Sequence, residues 1–88
     1  MPLTQNYTLQ ISPNPFTTNI SITLQKEGLQ QASFTITNII GQPVYTKLES
    51  NLNSTYAKTL DLSYLPNGVY FLEVIADGER NVRELVKQ

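Results

Sequence analysis

At 88 residues the chain has room for one domain, which buries only about 60–65% of the surface its unfolded form exposes. A net charge of −1 with 15% charged residues leaves no basic patch able to neutralise several phosphates, which excludes nucleic acid as a partner. The chain has no Cys and no His, so disulfides, thiolate or imidazole metal sites and Ser-His or Cys-His nucleophiles are excluded too.

Residues 1–6 read as a polar linker from an upstream protein. Tyr7, Leu9 and Ile11 alternate with Thr8, Gln10 and Ser12, the period of a half-buried strand. Ile20, Ile22 and Leu24 alternate with polar partners in a second strand, which Lys26-Glu27-Gly28 ends in a turn. Phe34 and Ile36 mark a third strand, and Val44 to Leu48 a fourth after the Gly41 turn. Glu49 to Ser54 reads as a loop, Tyr56 to Leu62 as the fifth strand, and Val69 to Ala76 as the sixth. The sixth is apolar on both faces but for Glu73, which predicts a central position. Asp77-Gly78 is the strongest hairpin signal in the chain, and a seventh strand follows from about Arg80 to Val86. Val82, Leu85 and Val86 also fit a helical spacing, but the Asp-Gly turn beside a buried strand favours a strand. Short strands separated by turn signals at roughly 8–12 residues predict an all-β fold, a seven-stranded antiparallel Greek-key (Ig-like) sandwich. Leu9, Ile11, Ile20, Ile22, Phe34, Ile36, Leu60, Leu62, Tyr70, Leu72 and Val74 are its expected core, with Phe71 read as core as well.

Chemistry-bearing residues are sparse. Lys26, Lys47 and Lys58 stand in exposed-looking settings, unsuited to activating a Ser or Thr. Asp61 reads as a strand-end residue that bonds turn amides, and Glu73 as the partner of Arg80 or Arg83 across a strand pair. Asp77-Gly78-Glu79 reads as a hairpin turn rather than a Ca²⁺ site, and no metal or cofactor is expected. Phe16 is expected to pack beneath its own turn. Tyr45, Tyr56 and Tyr64 read as half-buried packing residues rather than a sugar platform. No apolar stretch approaches the ~20 residues of a membrane-spanning helix. No apolar segment follows Met1-Pro2-Leu3, so any Sec signal is expected in an upstream part.

Four landmarks organise the chain. Asn14-Pro15-Phe16 forms a turn between the first two strands. Ile36 to Tyr45 reads as strand, Gly-containing turn, strand. Asp61-Leu62-Ser63-Tyr64-Leu65-Pro66-Asn67-Gly68-Val69-Tyr70 joins a strand end to a Pro-Asn-Gly turn and a Tyr two residues beyond Gly68. That last arrangement is the pattern of a tyrosine corner. A basic-and-aliphatic tail, Gly78 to Gln88, closes the series. In this order, over roughly residues 7–88, the chain resembles the C-terminal sorting domain, type A, of the type IX (Por) secretion system of Gram-negative bacteria. Family members often carry a Lys just before the closing aliphatic pair, where Glu84 stands here.

The resemblance implies a non-enzymatic signal at the end of a larger cargo protein. A type IX translocon would recognise it and carry the cargo from the periplasm across the outer membrane to the surface or medium. A sortase-like peptidase would cleave upstream of the first strand. Recognition is expected at the exposed groups of the last strand, Arg80, Arg83, Glu84, Lys87 and Gln88, on a sheet edge with free backbone groups. The alternative is a carbohydrate- or protein-binding module of an extracellular enzyme, which would show coplanar exposed aromatics.

Overall fold

The computed structural model describes residues 7–88; the expected linker, 1–6, lies outside the described residues. Seven strands follow one another: β1 (Thr8–Ser12), β2 (Asn19–Gln25), β3 (Ala32–Thr37), β4 (Pro43–Glu49), β5 (Thr55–Asp61), β6 (Gly68–Ala76) and β7 (Glu79–Lys87). They form two antiparallel sheets, ordered β1-β2-β5 and β4-β3-β6-β7. This is the Ig-like sandwich that the alternation predicts. The last eleven residues contain the strand β7 and no helix. Several boundaries move by a residue: Glu49 ends β4 rather than opening the loop, β5 runs Thr55–Asp61, and β6 opens at Gly68.

Alternation explains which side chains meet between the sheets. Ile20, Ile22 and Leu24 of β2 face Phe34 and Ile36 of β3 and Leu72 and Val74 of β6, all essentially dry. Every expected core residue of the strand alternation is buried except Ile11, which is only half-buried. Ile11 sits on an edge strand, paired with Ile22 on one side and open on the other. Phe71 also departs from expectation and is exposed. In β6 the residues Tyr70, Leu72, Val74 and Ala76 point inward, so Phe71 must point outward, between Thr37 and Glu84. The apolar outer positions of β6 are Val69, Phe71 and Ile75, consistent with its place between β3 and β7.

The connections fall at two ends. Residues 13–18, 38–42 and 62–67 share one end, where Phe16 bonds the end of β7 and the Leu62 amide donates to Thr18. Residues 26–31, 50–54 and 77–78 share the other, where Asp77 meets Gln31 and Leu52 meets Gln30. The chain enters at this second end, where the Tyr7 hydroxyl donates to the Glu79 carbonyl at 3.1 Å. At Asp77 and Gly78 φ is +49° and +88°, the positive pair that a two-residue primed hairpin turn requires.

Candidate functional site

The landmark residues act first on the backbone of β6 and β7. Pro66-Asn67 turns the chain into Gly68, whose φ of +152° is accessible to glycine and strained for a side-chain-bearing residue. Two residues on, Tyr70 is buried and its hydroxyl donates to the Pro66 carbonyl at 2.6 Å. This is the expected tyrosine corner. Leu65 packs into the core beneath it, and its amide donates to Leu62. The Asp61 carboxylate accepts the Ser63 amide at 3.0 Å, which holds it below its ordinary pKa and completes the strand-end turn. We expect Tyr70→Phe to keep the fold and lower stability by about 1–2 kcal/mol, the worth of one satisfied hydrogen bond at a constrained site. Chemical denaturation measures this directly, and an unchanged midpoint would show that the corner bond carries no weight.

The Asn14-Pro15-Phe16 landmark closes the edge of β7. β7 bonds β6 through alternate residues, so the amides and carbonyls of Glu84, Val86 and Gln88 point away from the sheet. The Asn14 side chain fits this edge like a short strand. Its Nδ2 donates to the Glu84 carbonyl at 2.8 Å and its Oδ1 accepts the Val86 amide at 3.0 Å. Phe16 continues the pairing in parallel: its amide donates to Val86 and its carbonyl accepts the Gln88 amide, both at 2.9 Å. The Phe16 ring drops into the core, 1% exposed. The expected free edge for strand addition is therefore occupied along its last third by the chain's own Asn14-Pro15-Phe16.

This geometry corrects the expectation for the last strand. Of its five candidate contact residues, Arg80, Glu84 and Gln88 are exposed, Arg83 is half-buried and Lys87 is buried. Lys87 shares the inward parity of Asn81 and Leu85 and lies opposite Gly68, which offers no side chain. Its aliphatic stem belongs to the sandwich wall. The Arg83 Nε donates to the Asn81 Oδ1 at 3.3 Å. Arg80 pairs with Glu73 across β6 and β7, the cross-strand ion pair expected for that carboxylate. Exposed and paired, it contributes little to stability.

Asp77 does more than turn the hairpin. Its carboxylate accepts the amides of Gln31 at 3.0 Å and Gln30 at 3.2 Å, and meets the Lys26 ammonium at 3.1 Å. The Asp77 amide donates back to the Gln31 carbonyl. The β6–β7 turn is thus clipped to the β2–β3 connection. Lys26, expected in solvent, has a side chain only 16% exposed because it closes this clip. The Gln31 amide above all holds the Asp77 carboxyl below its ordinary pKa. With the folded value depressed, the clip stabilises the fold above the ordinary carboxylate pKa and weakens as pH falls through the folded value. Among the described residues no group of three acidic residues is placed to hold a metal ion.

The aromatics do not form a platform. The Tyr56 ring stacks on Phe34 with centroids 5.2 Å apart, and its hydroxyl donates to Glu49 Oε2 at 2.9 Å. Burial, followed by Glu49, pushes the Tyr56 pKa well up. Tyr45 packs half-buried against the core. Tyr64 differs from expectation: it is 61% exposed, its hydroxyl donating to the Val44 carbonyl at 3.1 Å. Two open hollows, of about 420 and 500 Å³, lie at the end where the chain enters and are lined mostly by polar residues of the connections.

The span of chain that builds this scaffold matches a known family. The family model described as the secretion system C-terminal sorting domain matches residues 10–88. The chain belongs to this family. Comparison with curated proteins finds no match. As a C-terminal sorting domain it marks a protein for export by a type IX secretion system. The matched span begins inside β1 and takes in the Asn14 clamp, the tyrosine corner and the whole of β7. No helix of the described residues is long and apolar enough to cross a membrane.

Proposed function

We propose that this sorting domain acts without catalysis, as a folded address on a larger upstream cargo. The translocon binds it on the periplasmic side and carries the cargo through the outer membrane. A sortase-like peptidase then cuts upstream of β1, as the cargo is attached to the surface or released. The observation that carries this reading is the family match over residues 10–88, combined with a site chemistry that is structural throughout. Asn14, Asp61 and Tyr70 bond this chain's own backbone, and Asp77 its backbone and Lys26. What remains for a partner is surface, including the exposed side chains of Arg80, Glu84 and Gln88 on the last strand.

The test is a gain of function. Residues 7–88, fused behind a Sec-exported reporter in a host with a type IX system, are expected to carry the reporter to the cell surface or medium. The same reporter without the domain stays in the periplasm. A fused reporter that stays in the periplasm while the domain is folded would overturn the reading.

A further inference from the structure

Six large hydrophobic side chains stand exposed among the described residues, and three of them share one end of the sandwich. Ile39 and Ile40, each 72% exposed, form the tip of the β3–β4 hairpin, and Tyr64, 61% exposed, lies in the β5–β6 connection at the same end. Two adjacent isoleucines at a loop tip are costly to leave in water, and polar residues would form the turn as well.

The tip is also rigid. The Asn38 Oδ1 accepts the amides of Ile40 at 3.1 Å and Gln42 at 2.9 Å, and the Asn38 Nδ2 donates to Gln42 Oε1 at 3.1 Å. The Asn38 amide donates to the Gln42 carbonyl and the Gly41 amide to the Asn38 carbonyl, both at 3.0 Å. Gly41 takes a φ of +87° that closes the turn. None of these bonds uses the isoleucine side chains. The turn holds them out without depending on them.

Charge separates the two ends. The three connections at the Ile39–Ile40 end, residues 13–18, 38–42 and 62–67, contain no Asp, Glu, Lys or Arg. Charges border this end on the strands: Asp61, turned to the Ser63 amide, the exposed Glu84, whose carbonyl binds Asn14, and Lys87, with its stem in the wall. The opposite end holds Lys26, Glu27 and Asp77. It also receives the chain at Tyr7, so an upstream cargo joins at that end.

We propose that the Ile39–Ile40 turn, with Tyr64 beside it, is a docking knob. Its occupant is an uncharged pocket of aliphatic and aromatic side chains on a protein of the translocation machinery. The proposal rests on the sorting reading and adds the surface that is recognised. A pocket without charges matches the three connections, which have none, since an unpaired charge facing this tip would be desolvated uncompensated. A turn already fixed by five hydrogen bonds docks with little ordering cost. A membrane surface fits less well, because these connections offer neither an extended amphipathic face nor the Lys or Arg that grip headgroups. Gln88, bonded to Phe16, follows β7 at this same end and lies in reach of the same partner.

The experiment combines Ile39→Ser and Ile40→Ser in the reporter fusion. The thermal midpoint is expected to stay that of the parent, and secretion to fall roughly tenfold or more, as for the loss of a two-residue hot spot. A photo-crosslinking residue at Ile40 should form an adduct with a translocon protein, and one at Ala57, on the outer face of β5, should not. Parent-level secretion by the double variant, alongside normal secretion of the parent, overturns the knob and leaves the sorting reading standing. Failure of the parent fusion to be secreted overturns both. Adducts at Ile40 only with a second copy of this chain overturn the choice of occupant. So does flotation of the parent, but not of the variant, with phosphatidylethanolamine vesicles.

Discussion

Phe16→Ala will cost this domain about 3–5 kcal/mol, the range for removing a fully buried phenyl ring from a packed core. A domain of this length has roughly 4–13 kcal/mol in total, so the variant stands near or beyond the unfolding threshold. Two features place the effect at the upper end. The ring is 1% exposed, and its backbone bonds both Val86 and Gln88, so a slack core here also loosens the strand that the Asn14 side chain clamps. Phe71→Ala is the control, because that ring projects from the outer face of β6 and its loss should stay below about 1 kcal/mol. Urea denaturation followed by tyrosine fluorescence separates the two. A Phe16→Ala variant within about 1 kcal/mol of the parent would mean that the ring does not occupy the core.

The contrast between Phe16 and Phe71 shows which parts of the fold are legible in the sequence. Strict alternation alone places Ile20, Ile22, Leu24, Phe34 and Ile36 on the inner faces, because a residue of the wrong parity would carry its whole strand outward. The same rule, applied strictly to β6, puts Phe71 outside once Tyr70 is inside, and hydrophobicity alone misreads it. Lys87 is the converse case. Its residue type argues for solvent, while its parity with Leu85 argues for the interior, and parity wins because a long aliphatic stem tolerates the wall of a sandwich. The corner at Tyr70 and the Asp77-Gly78 hairpin are readable because their bonds close within a few residues. The Asn14 clamp on β7 and the Asp77 clip on Gln30 and Gln31 are not, since each joins segments 46 or more residues apart. Nor does any local pattern mark Ile39 and Ile40 as exposed. They become so only when the Asn38 turn, rather than either strand, claims them.

Deleting Leu85–Gln88 is expected to abolish secretion of the reporter by abolishing the fold. Leu85 is completely buried and Lys87 nearly so, which removes two inward residues at once. The deletion also takes away the partners of Gly68, Val69 and Tyr70 on β6, and the Val86 and Gln88 groups that hold Asn14 and Phe16. The tyrosine corner would then sit on an unpaired strand end, and the Phe16 ring would face solvent on the side that β7 covered. Summed, these losses exceed the stability available to a domain of this size. The truncated domain should show no cooperative melt and should be cut rapidly by protease, with the reporter retained in the cell. Loss of secretion on truncation would then report unfolding and not the position of an address. Charge reversal at Arg83 and Lys87 has the same defect, because neither side chain is free in solvent. Glu84→Lys with Gln88→Glu alters only exposed side chains on the same strand and should melt like the parent. A truncated domain that melts normally yet is not secreted would return the address to these last four residues.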